Sequence, residues 1–187
     1  MSPVFCVDDR FVPLILINQI MKHTVIKFGS YSFLTAVILF LSALVLGQDL
    51  SYEAQEVLGY SSIILSVGFV FFGIKSYRDK ENNGTVSFGK AFTIGLLITL
   101  FAAIGFALID FIYTTYINPE FMEQYVSYQM ENLASSYSGE ELISEKQKLK
   151  DSMEEMSNAA IAAVMFATVL IIGIVISLIS SLVLHKK

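Results

Sequence analysis

An all-α integral membrane protein, a four-helix bundle with an extramembrane helical hairpin between its third and fourth spans, is the fold class that this sequence predicts. Three observations carry it. Of 187 residues 55% are hydrophobic, and the mean hydropathy is +0.64, outside the usual range of a soluble domain. The surplus is gathered into four runs that contain no Asp, Glu, Lys or Arg: Phe28 to Leu46, Val57 to Ile74, Ala91 to Ile109 and Ser157 to Leu184. At about 1.5 Å of rise per residue, 18 or 19 residues cover roughly 27–29 Å, the thickness of a bilayer's hydrocarbon core. The polar residues fall between these runs, with one island, KSYRDKENNGTVSFGK from Lys75 to Lys90, separating the second run from the third.

In chain order, residues 1–20 differ from the rest. Phe11 to Ile20 is apolar but short and contains Pro13, so it does not reach across a bilayer. Met21 opens MKHTVIKFGS, a short basic lead-in to a span. The expected organisation is a non-native, disordered or interfacial extension over 1–20 and a single membrane domain over 21–187. No small-x-small cleavage pattern follows the first strong apolar run, so no cleavable signal peptide is expected. Cys6, the one cysteine, offers neither an internal disulfide nor a metal-ligand set.

The spans are expected at about 24–47, 57–75, 88–112 and 157–184. Lys22 and Lys27 precede the first, the acidic QDLSYEAQE (48–56) follows it, the basic island follows the second, and His185, Lys186 and Lys187 end the fourth. Nine of the twelve Lys and Arg residues lie before the first span, in the island or at the C-terminus. The positive-inside rule then places both termini and the island, with Lys75, Arg78, Lys80 and Lys90, on the cytoplasmic side. Small residues at a spacing of four mark packing seams: Ser62 and Ser66, Ala91 and Gly95, Ala159, Ala163 and Ala167, then Gly173, Ser177 and Ser181.

The segment at about 118–156 is the sizeable piece outside the membrane. Asn118 and Pro119 read as an N-cap and first helical residue, and Ser138 with Glu141 as a capping box opening a second helix. Met122, Tyr125, Gln129 and Leu133, then Leu142, Leu149, Met153 and Met156, recur at helical spacing. Between Glu120 and Glu155 nine acids stand against three lysines.

Chemistry is scarce. GTVSFGKA (84–91) holds most of a phosphate-binding loop but lacks the preceding strand and the hydroxyl residue after the lysine, so no nucleotide is expected. The bland reading makes Asn83-Gly84 a turn, Ser87 an N-cap and Lys90 a snorkelling interface lysine. Asp110 ends the uncharged core of the third span, about one bilayer thickness along the helix from Ala91. It is placed near the outer interface in a structural role, beside Tyr113 and Tyr116, which look like an aromatic belt. No catalytic, cofactor or metal residue is identified, and no nucleic-acid partner is indicated. The expected partners are the lipid bilayer and either another membrane protein or a second copy of the chain.

The stretch YRDKENNGTVSFGKAFTIG (Tyr77 to Gly95), with INPEF after the third span and SGEELISEK opening the second outer helix, resembles an uncharacterised bacterial family of four-span membrane proteins, a domain of unknown function. The resemblance runs from about Met21 to Lys187. It implies a bundle with a helical insert before the last span and implies no activity. The functional expectation is a non-catalytic structural or accessory protein of the cell envelope, the alternative being a small oligomeric transporter or channel lined by Ser62, Ser66, Thr99 and Ser177.

Overall fold

The computed structural model describes residues 11–154 and 156–186; residues 1–10 of the N-terminal extension lie outside the described residues. The chain is helical: α1 (Phe11–Leu46), α2 (Tyr52–Val67), α3 (Phe69–Ser76), α4 (Phe88–Ile112), α5 (Phe121–Ser136), α6 (Gly139–Glu154) and α7 (Asn158–Leu184). A single turn of π-helix follows α3, at Tyr77–Glu81, and another follows α4, at Tyr113–Ile117. Four continuous stretches are therefore long and apolar enough to cross a membrane: Met21–Leu46, Tyr52–Glu81, Phe88–Ile117 and Asn158–Leu184. The second starts five residues before the expected 57 because Ser51 caps it, its side chain accepting the Ala54 N–H, so the helix begins ahead of the apolar run.

The centre of the assembly is α4, which packs along α7, α1 and α3. Its buried residues include Ala91, Ile94, Gly95, Ile98, Thr99, Ala102, Ala103 and Phe106, covering more of the circumference than a single stripe, as a central helix requires. Small residues let α7 come close. A Cβ on Gly173 would lie 2.0 Å from Thr99 Cγ2, and one on Gly95 would lie 2.8 Å from Ser177 Oγ. The two helices run antiparallel, so Gly95 meets Ser177 and Thr99 meets Gly173 in one register, and Thr99 Oγ1 lies 3.4 Å from Ser177 Oγ.

Ser62, Ser66, Ala91, Gly95, Gly173, Ser177 and Ser181 are buried as a packing seam requires, whereas Ala159, Ala163 and Ala167 are exposed. The inward face of α7 is instead Ala162, Val169, Gly173, Ser177, Ser180, Ser181 and Leu184. The four-residue alanine spacing marks a face, but the register against α4 decides which face turns inward.

Between α2 and α3 the helix deviates at Gly68. Ser62 and Ser66 Oγ each donate to a carbonyl one turn back, Leu58 and Ser62, at 2.7 Å. Ser32 of α1 adds a 2.7 Å bond to the Ser66 carbonyl. A side chain entering the helical ladder and serines bonding backwards are established causes of bending.

The expected cap at Asn118-Pro119 is displaced. Glu120 is the N-cap of α5, and the helix starts at Phe121, because the preceding span continues through its π-turn and leaves Asn118 to close that turn through its N–H to the Tyr113 carbonyl. The turn between α5 and α6 falls where Gly139 and its serines place it, with Gly139 at φ +63°. The two helices pack on each other and scarcely on the four long helices. Tyr52 is their link to α2, its ring 4.5 Å from Tyr128 and 6.2 Å from Tyr125.

Candidate functional site

Two places combine polar groups with defined geometry, one at each end of the long helices. At the first, the island is fastened to the chain's end. Asn83 at φ 54° and Gly84 at φ 77° form the predicted turn, a pair of left-handed residues that Asn and Gly tolerate best. The Gly84 N–H donates to the Arg78 carbonyl at 2.8 Å. Val86 is buried and pairs with Lys186 in an antiparallel bridge, each N–H donating to the other's carbonyl at 2.8 and 2.9 Å. Arg78 Nη1 donates to the Leu184 carbonyl at the C-terminus of α7, 3.3 Å away, where helix carbonyls lack partners and the helix dipole favours a cation. The buried Thr24 hydroxyl donates to Glu81, tying the island to α1 as well.

The sequence-predicted cations divide within this structure. Lys75 and Lys80 are exposed. Lys90 Nζ stands 6.0 Å above the ring of buried Tyr77, and Arg78 is held by Asp79 and the end of α7. Ser87 occupies the cap position of α4 without a side-chain cap bond. The GTVSFGK segment follows a helical turn, not a strand, and this end is a clamp of backbone and charge.

At the opposite end, α2 and α7 hardly touch, and a cavity of about 400 Å³ lies between them. Phe40 and Leu44 of α1 back it, and Phe121, Met122 and Tyr125 of α5 with Met153 of α6 border it on the hairpin side. From α2 come Tyr52, Gln55, Glu56, Gly59, Tyr60 and Ile63, and from α7 Ile161, Val164, Met165 and Thr168. Positions 52, 56, 59, 60 and 63 are one face of a helix, so α2 presents a composite wall of aromatic, amide and carboxylate groups.

Asp110 reaches this cavity from α4. Its side chain is 6% exposed, and its Oδ2 has no hydrogen-bond partner among the described residues. Burial of an unpaired carboxylate oxygen is costly, and such residues in membrane helices point to function by default. The helix spacing predicts a place near the outer interface; the packing puts the side chain against the cavity.

Tyr113, expected beside it in an outward aromatic belt, turns inward. It is 1% exposed, lies edge-on to Phe121 at 5.5 Å, and its hydroxyl donates to the Leu44 carbonyl and accepts from Gln48, both at 3.4 Å. Its burial continues the inward face of α4, following Phe106, Ile109 and Asp110 at helical spacing, so a steady step of about 100° along the span already points it inward. Tyr116 is 75% exposed. Glu56, Gln55, Tyr52 and Tyr60 escaped the sequence reading, although their shared face on α2 was a signal: polar and aromatic residues at helical spacing leading into an apolar run.

Ser62, Ser66, Thr99 and Ser177, the expected lining of a pore, are buried in helix seams and bonded to carbonyls or to one another.

Compared with known proteins, residues 27–186 match the model of one family, described as Protein of unknown function (DUF4199). Neither the curated proteins nor the solved structures provide a match.

Proposed function

The chain belongs to this family of unknown function, and from that premise we propose that it is a non-catalytic accessory protein of the bacterial cytoplasmic membrane, a four-span bundle whose acidic helical hairpin contacts a membrane-protein partner. Both termini and the basic island face the cytoplasm in this reading, and α5 and α6 lie outside the membrane on the other side. The observation that carries it is the hairpin itself. α5 has no buried residue, α6 leaves Ile143 69% exposed, and the pair is held to the long helices chiefly through Tyr52 and Phe121. An element so exposed, with nine acids against three lysines over 120–155, suits a basic partner surface, where charge complementarity steers association.

The alternative, a small oligomeric transporter or channel, loses support from the serines and threonines expected to line its pore. They serve the packing of α2, α4 and α7, and a wet passage along them would require those helices to separate. The cavity under the hairpin is what still favours it.

The test is affinity purification of the tagged full chain in a mild detergent, with mass spectrometry of the intact chain and of what co-purifies, beside a variant in which Glu131, Glu140, Glu141 and Glu145 are changed to Lys. A stoichiometric partner retained by the unchanged chain and lost by the variant supports the accessory reading. A clean homo-oligomer that conducts a defined solute in liposomes overturns it in favour of the transporter.

A further inference from the structure

We propose that the cavity between α2 and α7 is a binding site for an amphiphilic organic ammonium ion, with the Asp110 carboxylate accepting the ammonium N–H and the cavity's tyrosine rings flanking the charge. Four features of the site converge on that chemistry. The first is an acceptor without a donor: Asp110 is 6% exposed, and its Oδ2 has no partner among the described residues. The second is sign. Among the described residues, the charged groups lining the cavity are Asp110 and Glu56, both acids, with no lysine, arginine or histidine, so the site favours a cation and opposes an anion.

The third is the wall. Tyr52, Tyr60 and Tyr125 line the same space, and aromatic faces attract ammonium groups through the ring quadrupole. The fourth is the remainder of the lining, which is apolar, with Met122, Met153, Met156 and Met165 among it. Unbranched thioether side chains adapt to irregular hydrocarbon shapes. A cavity of about 400 Å³ falls within the size range of small-ligand sites, which combine an apolar lining with a few fixed polar groups. Water answers the carboxylate less well, since a buried water needs about two to four polar partners and most of this wall offers none. An amine with a hydrocarbon body meets both requirements at once.

This inference does not depend on the partner proposed for the hairpin, and the two fail separately. The probe is 1-aminoadamantane, a compact hydrocarbon cage bearing one ammonium group, compared with 1-adamantanol and adamantane-1-carboxylate. Binding is measured by equilibrium dialysis against the purified full chain in lipid nanodiscs, with empty nanodiscs correcting for partition into lipid. The amine is expected to bind saturably, one per chain, and the carboxylate not to bind. Asp110→Asn, close in shape, should weaken the amine by about tenfold or more, as loss of a charge-assisted hydrogen bond implies, while affecting the alcohol much less.

An amine affinity unchanged in a folded Asp110→Asn protein overturns the proposal. So does carboxylate binding as tight as that of the amine, or no saturable amine binding at all. If Asp110→Asn does not fold, Glu56→Gln and Tyr60→Ala, which alter exposed wall positions of α2, decide instead: each should weaken the amine severalfold, and unchanged affinity in both overturns the site.

Discussion

Replacing Gly173 by alanine tests whether the contact between α4 and α7 is as close as described. The added Cβ would stand 2.0 Å from Thr99 Cγ2, 2.7 Å from Thr99 Oγ1 and 2.9 Å from Thr99 Cβ. Thr99 is fully buried and β-branched, so its χ1 has little freedom to move away. Two effects oppose one another. Alanine gains about 1 kcal/mol in helix propensity over glycine, whereas overpacking a tight contact costs about 1–3 kcal/mol and more when the backbone must move. With one contact near half a normal carbon–carbon separation, the clash should prevail, leaving Gly173→Ala about 1–2 kcal/mol less stable.

The assay is thermal or SDS-induced unfolding of the purified protein in maltoside micelles, arranged as a double-mutant cycle with Thr99→Ala. That second change removes Cγ2 and Oγ1, the two nearest atoms, and should restore part of the loss. A favourable coupling of about 1 kcal/mol is expected between the two sites. Gly173→Ala at or above the stability of the unchanged chain, or strict additivity in the cycle, would refute a seam this close.

Asp110→Asn should raise the unfolding midpoint of the ligand-free protein, by about 1 kcal/mol in stability, since burial costs a carboxylate more than a neutral amide of the same shape; a large loss measured in the same assay would mean that the carboxyl group holds the fold. Ser32→Ala should cost about 1 kcal/mol through the lost bond to the Ser66 carbonyl, measured as a lower unfolding midpoint, and no loss would remove that bond as a cause of the bend at Gly68. Arg78→Ala should release the C-terminus, seen as faster amide exchange at His185 and Lys186, and unchanged exchange would show that the Val86 bridge alone holds it. For topology, in a Cys6→Ser background, Asn83→Cys should resist a membrane-impermeant thiol reagent in intact cells while Ser138→Cys reacts. The reverse pattern would invert the proposed orientation.

Much of the architecture is written in local chemistry. Four runs without a charge, each long enough to cross a bilayer core, announce four long helices, and Asn83-Gly84 and Gly139 mark turns because those residues accept positive φ. The family resemblance carried by YRDK and SFGKAF rests on the same linear information. What lay beyond it depends on how helix faces turn. Ala159, Ala163 and Ala167 have the spacing of a seam yet lie exposed, since small side chains permit close approach without specifying which neighbour arrives.

Tyr113 and Asp110 show the same limit more sharply. Along the sequence they end an apolar span and suggest an interface belt; in three dimensions Tyr113 packs into the core and Asp110 stands against a cavity walled by α2, a helix well before it in the chain. Sequence by itself determined that there are four long apolar helices, about where each lies and the charge that separates them, because hydrogen bonding and burial in a helix are settled over a few neighbouring residues. Only the tertiary structure decided that α2 and α7 stand apart, that the hairpin borders the gap and that Glu56, Tyr60 and Asp110 share it, because helix rotation and tilt come from packing between segments distant in the chain.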